Sequence, residues 1–135
     1  MKRYEIRVAD LMTTALVTIK SSEPVSGAHA EMQVGVIRHL PVIDDRGRLV
    51  GVLSDRDVIK ALTTRKPQRV SDIMTRDVVT TTPQTMAHEA AAIMLDLKIS
   101  SLPVIDEGGA LVGLITQTDY LELARRALLG LPLER

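Results

Sequence analysis

The chain of 135 residues contains two copies of one segment, and this internal repeat constrains its fold more than any other feature. Each repeated run lies 62 positions from its counterpart; the pairs are residues 8–13 and 70–75, 40–44 and 102–106, and 51–57 and 113–119. Roughly 55 residues align without a gap and about a third of them are identical, which is typical of a tandem duplication. We therefore expect both copies to have the same shape and related chemistry.

The composition excludes several classes of protein. Seventeen basic and seventeen acidic residues cancel, so no strong field draws the chain to nucleic acid or to an anionic membrane. Cysteine, Phe and Trp are absent and Tyr occurs twice, which predicts an aliphatic core without disulfides, thiolate metal sites or base-stacking platforms. Neither a secretory signal nor an apolar run of membrane length is present, so we expect a cytoplasmic protein.

Residue patterns predict the same order of elements in both copies. Turn residues separate short aliphatic runs into hairpins, and apolar residues recur at helical spacing between them. The predicted first strands are 16–19 and 78–81, the predicted hairpins are 40–53 and 102–115, and the predicted last helices are about 55–65 and 117–129. Each copy is strand, helix, strand, strand, helix, which predicts an α+β fold with repeats at 8–65 and 70–128.

The helix of the first copy is the weaker of the two inner helices. Pro24, Gly27 and Gly35 lower its propensity, and Glu31 stands where the second copy has Ile93. An outward rotation of Glu31 would reconcile it with an apolar core face. The methionines that recur in register, among them Met12 and Met74, are expected to fill the core.

Each hairpin leads into its last helix through a glycine, two aliphatic residues, a hydroxyl residue and, three positions later, an aspartate. One interpretation is structural, because Ser or Thr followed three residues later by an acid resembles a capping box. The other is a binding site, because a helix N-terminus favours phosphate and a nearby carboxylate can accept ribose hydroxyls. On this second interpretation, Gly51 and Gly113 would let a ligand lie close to the backbone.

These paired elements resemble those of a CBS-domain pair, the tandem module named after cystathionine β-synthase, over residues 8–128. The resemblance implies tandem β-α-β-β-α repeats about a pseudo-twofold axis, with two clefts that bind AMP, ADP, ATP or S-adenosylmethionine. It also implies a homodimer and a role as a stand-alone regulatory module that signals to an unknown protein partner. The nucleotide would be a regulatory ligand, and no obligatory cofactor is expected.

The resemblance assigns roles to particular residues of this chain. Asp57 and Asp119 would bind the ribose hydroxyls, and Ser54 and Thr116 would contact ribose or phosphate. The remaining predicted ligand-binding residues are the backbone near Thr18, Ile19, Thr80 and Thr81 for the base and the side chains of Arg38, His39 and Arg56 for phosphate. The second copy has Ser100-Ser101 in place of Arg38-His39, so we expect two unequal sites; the alternative is that these arginines are solvated surface residues.

Other candidate sites are weaker. His29, His39 and His88 lack the spacing of metal ligands, and Ala92 replaces the second histidine of a zinc-protease helix, so no metal site is expected. We find no nucleophile–base pair or carboxylate dyad and do not expect an enzyme. Two alternatives to ligand sensing remain: a dimerising scaffold with vestigial clefts, and nucleic-acid binding through the basic connector at residues 63–69 together with Arg56 and Lys60 before it.

Overall fold

The computed structural model describes residues 2, 5–35 and 37–133 of the chain. Their helices and strands follow in the order α1 (Val8–Leu11), β1 (Ile19–Lys20), α2 (Val25–Gly35), β2 (His39–Ile43), β3 (Leu49–Ser54), α3 (Asp55–Leu62), α4 (Val70–Ile73), α5 (Ala87–Leu97), β4 (Ser101–Ile105), β5 (Leu111–Thr116) and α6 (Gln117–Leu128). This mixture of helices and small sheets confirms the predicted α+β class. No described helix has the length and apolar character needed to cross a membrane.

The chain divides into two compact units whose boundaries differ from those of the sequence repeats. What we call the first-repeat unit consists of Val17–Val78 with Gly109–Leu111. The second-repeat unit consists of Val79–Gly108, the residues from Val112 onward, and the N-terminal residues up to Leu16. The segment ahead of each first strand therefore belongs to the unit of the other repeat, and the order of the sequence alone does not reveal this exchange.

The first-repeat unit contains a three-stranded sheet in the order β1-β2-β3. The predicted hairpin is confirmed: β2 and β3 pair antiparallel from His39 opposite Ser54 to Ile43 opposite Leu49. Its turn is stabilised by Asp44, whose Oδ1 accepts the backbone N–H groups of Arg46 and Arg48, both at 2.9 Å. These hydrogen bonds lower the pKa of the Asp44 carboxyl.

The first strands are shorter than the sequence predicts. β1 has two residues, and its counterpart in the second-repeat unit is a single parallel bridge between Thr81 and Val104. In that bridge the Thr81 N–H donates to the Pro103 carbonyl at 3.0 Å, and Ile105 N–H donates to the Thr81 carbonyl at 2.9 Å. Since Pro103 has no N–H of its own, the parallel ladder cannot continue toward the start of the strand.

The exchanged N-terminal segment is held by backbone hydrogen bonds. In the second-repeat unit, Val8 N–H donates to the Thr85 carbonyl at 2.8 Å, and Thr13 exchanges two hydrogen bonds with Leu114 on the edge of β5. Helix α1 packs against α5 and α6. Neither α1 nor this pairing was predicted from the sequence, although the repeated Asp-x-Met-Thr run was the available signal.

The segment ahead of the first strand of the second repeat makes the equivalent contacts in the first-repeat unit. Val70 N–H donates to the Glu23 carbonyl at 2.8 Å, and Thr75 exchanges two hydrogen bonds with Val52 on the edge of β3. Helix α4 packs against α3 and β3. Thus each sheet gains an edge residue from a segment that precedes the first strand of the other repeat.

Each unit has its own core. Both cores are aliphatic, as the composition predicts, but the expectation from the short length of each repeat, that the two copies share one core, was wrong. The buried residues of the first-repeat core are Ile19, Val25, Ala28, Met32, Leu40, Val42, Leu53, Val58, Ala61 and Val70. Those of the second-repeat core are Ile6, Val8, Leu11, Ala87, Ala90, Met94, Leu102, Val104 and Ile115. Glu31 is exposed on α2, which accounts for a glutamate at the position of the half-buried Ile93.

Candidate functional site

The hydroxyl–aspartate pair of the first-repeat unit forms a reciprocal capping box at the start of α3. Asp57 N–H donates to Ser54 Oγ at 3.1 Å, and Ser54 N–H donates to Asp57 Oδ2 at 3.2 Å. Both residues are half-buried. The structural interpretation of this motif is therefore realised, since two otherwise unpaired N–H groups of the helix start obtain acceptors.

The corresponding pair in the second-repeat unit differs in detail. Thr116 N–H donates to Asp119 Oδ2 at 2.9 Å, and the Thr116 hydroxyl lies 3.4 Å from the same oxygen. Asp119 is buried, with 7% of its surface exposed, whereas Asp57 is only partly covered. The two carboxylates therefore occupy environments of different polarity.

Capping does not exhaust the hydrogen-bonding capacity of the Asp57 carboxylate. An ionised aspartate has two oxygens and about four lone-pair sites. Asp57 Oδ1 makes no hydrogen bond within the described part of the chain, and the capping contact engages Oδ2. A single aspartate can consequently hold the helix start with one oxygen and accept a ligand hydroxyl with the other.

The hairpin register brings the predicted phosphate-binding residues to the helix start. His39 pairs with Ser54 across β2 and β3, and Asp55 N–H donates to the Arg38 carbonyl at 2.9 Å. Since residues directly opposite each other share a face of the sheet, the His39 side chain lies on the side of Ser54. Arg56 is exposed in the first turn of α3.

Arg38 has a different surrounding from His39, because successive side chains of an extended segment alternate between faces. Arg38 lines a groove of about 490 Å³ between α2 and α3, together with His29, Met32, Gln33, Ile37, Asp55 and Ile59. The resemblance assigned both Arg38 and His39 to phosphate without saying which site each enters, and in the structure the two neighbours have different surroundings.

Two of the four predicted base-binding residues already pair with neighbouring strands. Ile19 and Thr81 are buried, with 7% and 5% of their surfaces exposed, and each pairs within a parallel ladder. The backbone N–H and carbonyl of Thr81 are both used in that ladder. Thr18 and Thr80 are half-buried and directly precede the paired residues.

Thr81 carries an unusual polar group. Its hydroxyl oxygen is buried and makes no hydrogen bond to the described residues. The equivalent residue of the first repeat is Ile19, which belongs to the core. A hydroxyl therefore occupies a position where an apolar side chain packs in the other copy.

The glycines before each hydroxyl–aspartate pair have another function than the expected one. A Cβ on Gly51 would lie 2.7 Å from Met74 Sδ and 2.9 Å from the Thr75 carbonyl oxygen. A Cβ on Gly113 would lie 2.6 Å from Met12 Sδ. The expectation that these glycines make room for a ligand was wrong, because the exchanged Asp-x-Met-Thr segments fill that space.

No group of three or more His, Cys, Asp and Glu side chains that could hold a metal ion occurs among residues 2, 5–35 and 37–133. Tyr120 next to Asp119 is the one residue of these helix starts with a large pKa shift in the described chain. Its hydroxyl donates to the Ala87 carbonyl at 2.7 Å, and burial, followed by the charge of Asp119, raises the pKa of Tyr120 to about 12.

The fold and the two capping boxes define a tandem α+β repeat protein with a hydroxyl–aspartate pair at the start of each last helix. Comparison with known families gives the class a name: the CBS domain model matches residues 8–64 and again 70–126, so the chain belongs to the CBS domain family. This confirms the resemblance on which the predicted site residues were based.

Two similar solved structures are CBS-domain pairs in complex with adenosine compounds. The CBS-domain pair of protein MJ0100, in complex with 5'-methylthioadenosine and S-adenosyl-L-methionine, has a TM-score of 0.82 and 30% identity and covers 90% of this chain and 97% of its own. CBSX2 of Arabidopsis thaliana in complex with AMP has a TM-score of 0.82 and 31% identity and covers 91% of this chain and 98% of its own.

Curated relatives include much longer proteins. A homoserine O-acetyltransferase of Methanococcoides burtonii is 38% identical over 116 residues, which are 86% of this chain and 24% of that protein. The chain spans about a quarter of the length of the first such relatives. Their enzymatic names therefore describe whole proteins of which this module matches one part.

Proposed function

We propose that the protein is a regulatory module that binds an adenosine ligand, AMP, ADP, ATP or S-adenosylmethionine, and signals its presence to a protein partner. The observation that carries the proposal is the hydroxyl–aspartate pair at the start of α3, whose carboxylate retains an acceptor oxygen after capping the helix. Complexes of similar CBS-domain pairs with AMP and S-adenosylmethionine support this choice of ligand. The proposal implies a cytoplasmic location, where these compounds are abundant.

The chemistry of such a site follows from its position. Asp57 and Asp119 would accept hydrogen bonds from the ribose hydroxyls, and charge-assisted bonds of this kind are stronger than neutral ones. Ser54 and Thr116 would contact ribose or phosphate beside them. The partial positive charge at the starts of α3 and α6 favours the phosphate or carboxylate of the ligand.

The two units would differ in their preference for phosphate. The first-repeat unit has Arg56 in the first turn of α3 and His39 opposite Ser54, whereas the equivalent positions of the second repeat are Thr118 and Ser101. An arginine can contact phosphate through two N–H groups. We therefore assign the more phosphorylated ligands to the first-repeat unit.

Two other functions are compatible with the fold. If Asp57 and Asp119 only cap their helices, the protein is a scaffold with vestigial sites. Nucleic-acid binding through the basic connector is the less favoured reading, because the formal net charge is zero. Ligand-induced stabilisation separates the sensing function from both.

Thermal unfolding with millimolar AMP, ATP or S-adenosylmethionine tests the proposal. A ligand at ~100 times its Kd stabilises by about 2.7 kcal/mol, which raises the Tm of a domain of this size by several degrees. The double variant Asp57→Ala/Asp119→Ala should show no shift. Asp10→Ala/Asp72→Ala, which removes two capping aspartates outside the proposed sites, should retain it. If none of the three ligands changes the Tm of the parent, the scaffold function is favoured.

We also propose that the protein forms a homodimer. Several large apolar side chains of α5 and α6 are exposed, including Leu95 at 78%, Leu121 at 70% and Leu128 at 87%. Leu95 and Leu121 line one groove between α5 and α6, and an apolar surface shared by neighbouring side chains can mark an interaction site. The expected mass in solution is about twice 14.8 kDa.

A further inference from the structure

The segment that ends α3 presents a group of basic side chains. Lys60 lies in the last turn of the helix, and Arg65 and Lys66 follow it in the connector. All three are exposed, and none of them forms an ion pair with a residue in the ranges 2, 5–35 and 37–133. We call these three residues the cationic patch of the first-repeat unit.

The end of α3 does not use the cationic patch as a cap. Basic side chains near a helix C-terminus often bind the last carbonyl groups of the helix. Here the Thr63 hydroxyl donates to the Lys60 carbonyl at 2.6 Å, and the Thr64 hydroxyl donates to the Ala61 carbonyl at 2.7 Å. The basic side chains are therefore not needed to satisfy these carbonyl groups.

The second repeat ends its last helix without such a patch. The residues at the equivalent positions are Glu122, Ala127 and Leu128. The only charged residue of these three, Glu122, accepts two hydrogen bonds from Arg125, at 3.0 and 2.7 Å, so its charge is neutralised within the chain. Since the duplicated fold forms this helix end with no basic residue at any of the three positions, the fold does not require the cationic patch.

Charge indicates what the cationic patch fits. Three like charges along residues 60–66 repel one another, and this repulsion is strongest at low ionic strength. A partner that brings carboxylates to the patch would replace repulsion by attraction, which is the usual basis of electrostatic recognition between proteins. Arg56 lies one helical turn before Lys60, so the patch adjoins the proposed phosphate site.

Two features favour an acidic protein segment over a nucleic acid. Three cations contact few phosphates, and the zero net charge of the chain adds no long-range attraction to a polyanion. The sequence also lacks Phe and Trp and has only two Tyr, so it offers little aromatic surface on which bases could stack.

We propose that the cationic patch binds an acidic segment of the protein partner, a short run of Asp and Glu side chains. The inference rests on the regulatory function proposed above, which requires a partner, and adds the surface that meets this partner and its chemical character. Arg65 can bind a carboxylate through two N–H groups, and the lysines act as point charges. Because these contacts are exposed to solvent, the binding is weak and depends on salt.

Fluorescence anisotropy of a dye-labelled hexaglutamate peptide tests the patch. The peptide should bind the parent at low ionic strength and dissociate as salt is added. Lys60→Glu/Lys66→Glu should lower its affinity by about tenfold, because each change replaces an attraction by a repulsion. Arg46→Glu/Lys98→Glu makes the same change of net charge at exposed positions outside the patch and should stay within about twofold of the parent. Circular dichroism confirms that both variants are folded.

The outcomes separate this inference from the proposed function. Equal affinities of the two double variants, or no binding of the peptide to the parent at low ionic strength, show that the inference is wrong. It is also wrong if a thymidylate oligonucleotide of the same net charge binds the parent more tightly than the peptide and loses affinity in Lys60→Glu/Lys66→Glu. The Tm shift with AMP, measured on the same proteins, reports ligand sensing alone: its absence from the parent overturns the proposed function and leaves the peptide result unaffected.

Discussion

At the residue scale, one arrangement occurs four times in the described part of the chain: an aspartate accepts the backbone N–H of the residue three positions earlier at a helix start. Asp10 and Asp72 make this hydrogen bond to Arg7 and Arg69, at 2.8 and 2.9 Å. Asp57 and Asp119 make it at the two proposed sites. The shared geometry gives each proposed site residue a matched control within the same chain.

Asp57→Ala should weaken nucleotide binding and also destabilise the fold. Loss of hydrogen bonds to ribose costs about 1.5–3 kcal/mol, or roughly ten- to a hundredfold in affinity. Loss of the cap costs about 1 kcal/mol. Asp72→Ala should lose comparable stability and no affinity, as measured by calorimetric titration and urea unfolding. Unchanged affinity in both Asp57→Ala and Asp119→Ala would make these residues helix caps alone.

The raised pKa of Tyr120 predicts that the protein loses stability at alkaline pH. Because its pKa rises from 10.0 to about 12 on folding, the folded state binds the phenolic proton more tightly than the unfolded state. This contribution is complete below pH 10 and disappears as the pH rises through about 12. In the variant Tyr4→Phe, absorbance of tyrosinate should report the titration of Tyr120 alone. Tyr120→Phe should lose stability less steeply over this range, and equally steep curves would contradict the assignment.

Thr81→Val should stabilise the protein. A buried hydroxyl without a partner costs about 1–3 kcal/mol, and valine keeps the branched shape without the polar group. We expect a gain of about 1 kcal/mol in urea unfolding, consistent with Ile19 at the equivalent position. A variant that binds nucleotide more weakly than the parent would instead show that the hydroxyl contacts the ligand.

At the scale of elements, the two Asp-x-Met-Thr segments pack into the space left by the missing side chains of Gly51 and Gly113. Met74 and Met12 occupy these spaces, and Thr75 and Thr13 pair with the neighbouring strands. The fit differs between the copies, because the nearest carbonyl oxygen lies 2.9 Å from the Cβ position at Gly51 and 3.3 Å at Gly113. A backbone oxygen yields less readily than the end of a methionine side chain.

Gly51→Ala should therefore destabilise more than Gly113→Ala, within the range of about 1–3 kcal/mol that overpacking costs. In the Gly113→Ala background, Met12→Ala should recover part of the loss, because the methionine is the main obstacle. Met74→Ala should recover less in Gly51→Ala, because the Thr75 oxygen remains. Urea unfolding of the four variants and the parent measures these differences, and equal recovery in the two pairs would contradict the role of the carbonyl.

The elements that the sequence predicted are those set by local pattern. Both hairpins and the helices after them follow from short aliphatic runs, turn glycines and the Ser/Thr-x-x-Asp run. The lengths of the first strands were overestimated. β-Branched residues indicate an extended chain, but they do not show whether a neighbouring strand can form hydrogen bonds with it. Here the partner strand contains a proline, which ends the ladder.

At the scale of the whole molecule, the two proposed sites should be separable in one titration. ATP should bind the first-repeat unit more tightly than AMP does, because Arg56 and His39 are found there. Calorimetry should show two events for the parent, and Asp57→Ala should remove the one that strengthens with phosphate count. Arg56→Ala should reduce the ratio of ATP to AMP affinity without abolishing AMP binding. If the ratio of ATP to AMP affinity in Arg56→Ala equals that of the parent, Arg56 does not contact the phosphate.

The sequence by itself determined the duplication, the α+β repeat, the aliphatic core and the hydroxyl–aspartate pairs, because these depend on residues close together in the chain. Only the tertiary structure decided which segments complete each unit. Residues 6–13 join the second repeat, and Gly51 and Gly113 face methionines from segments outside their own repeat. Local sequence pattern does not predict such partners, because these contacts join residues that are distant in the sequence and come close only in the folded chain.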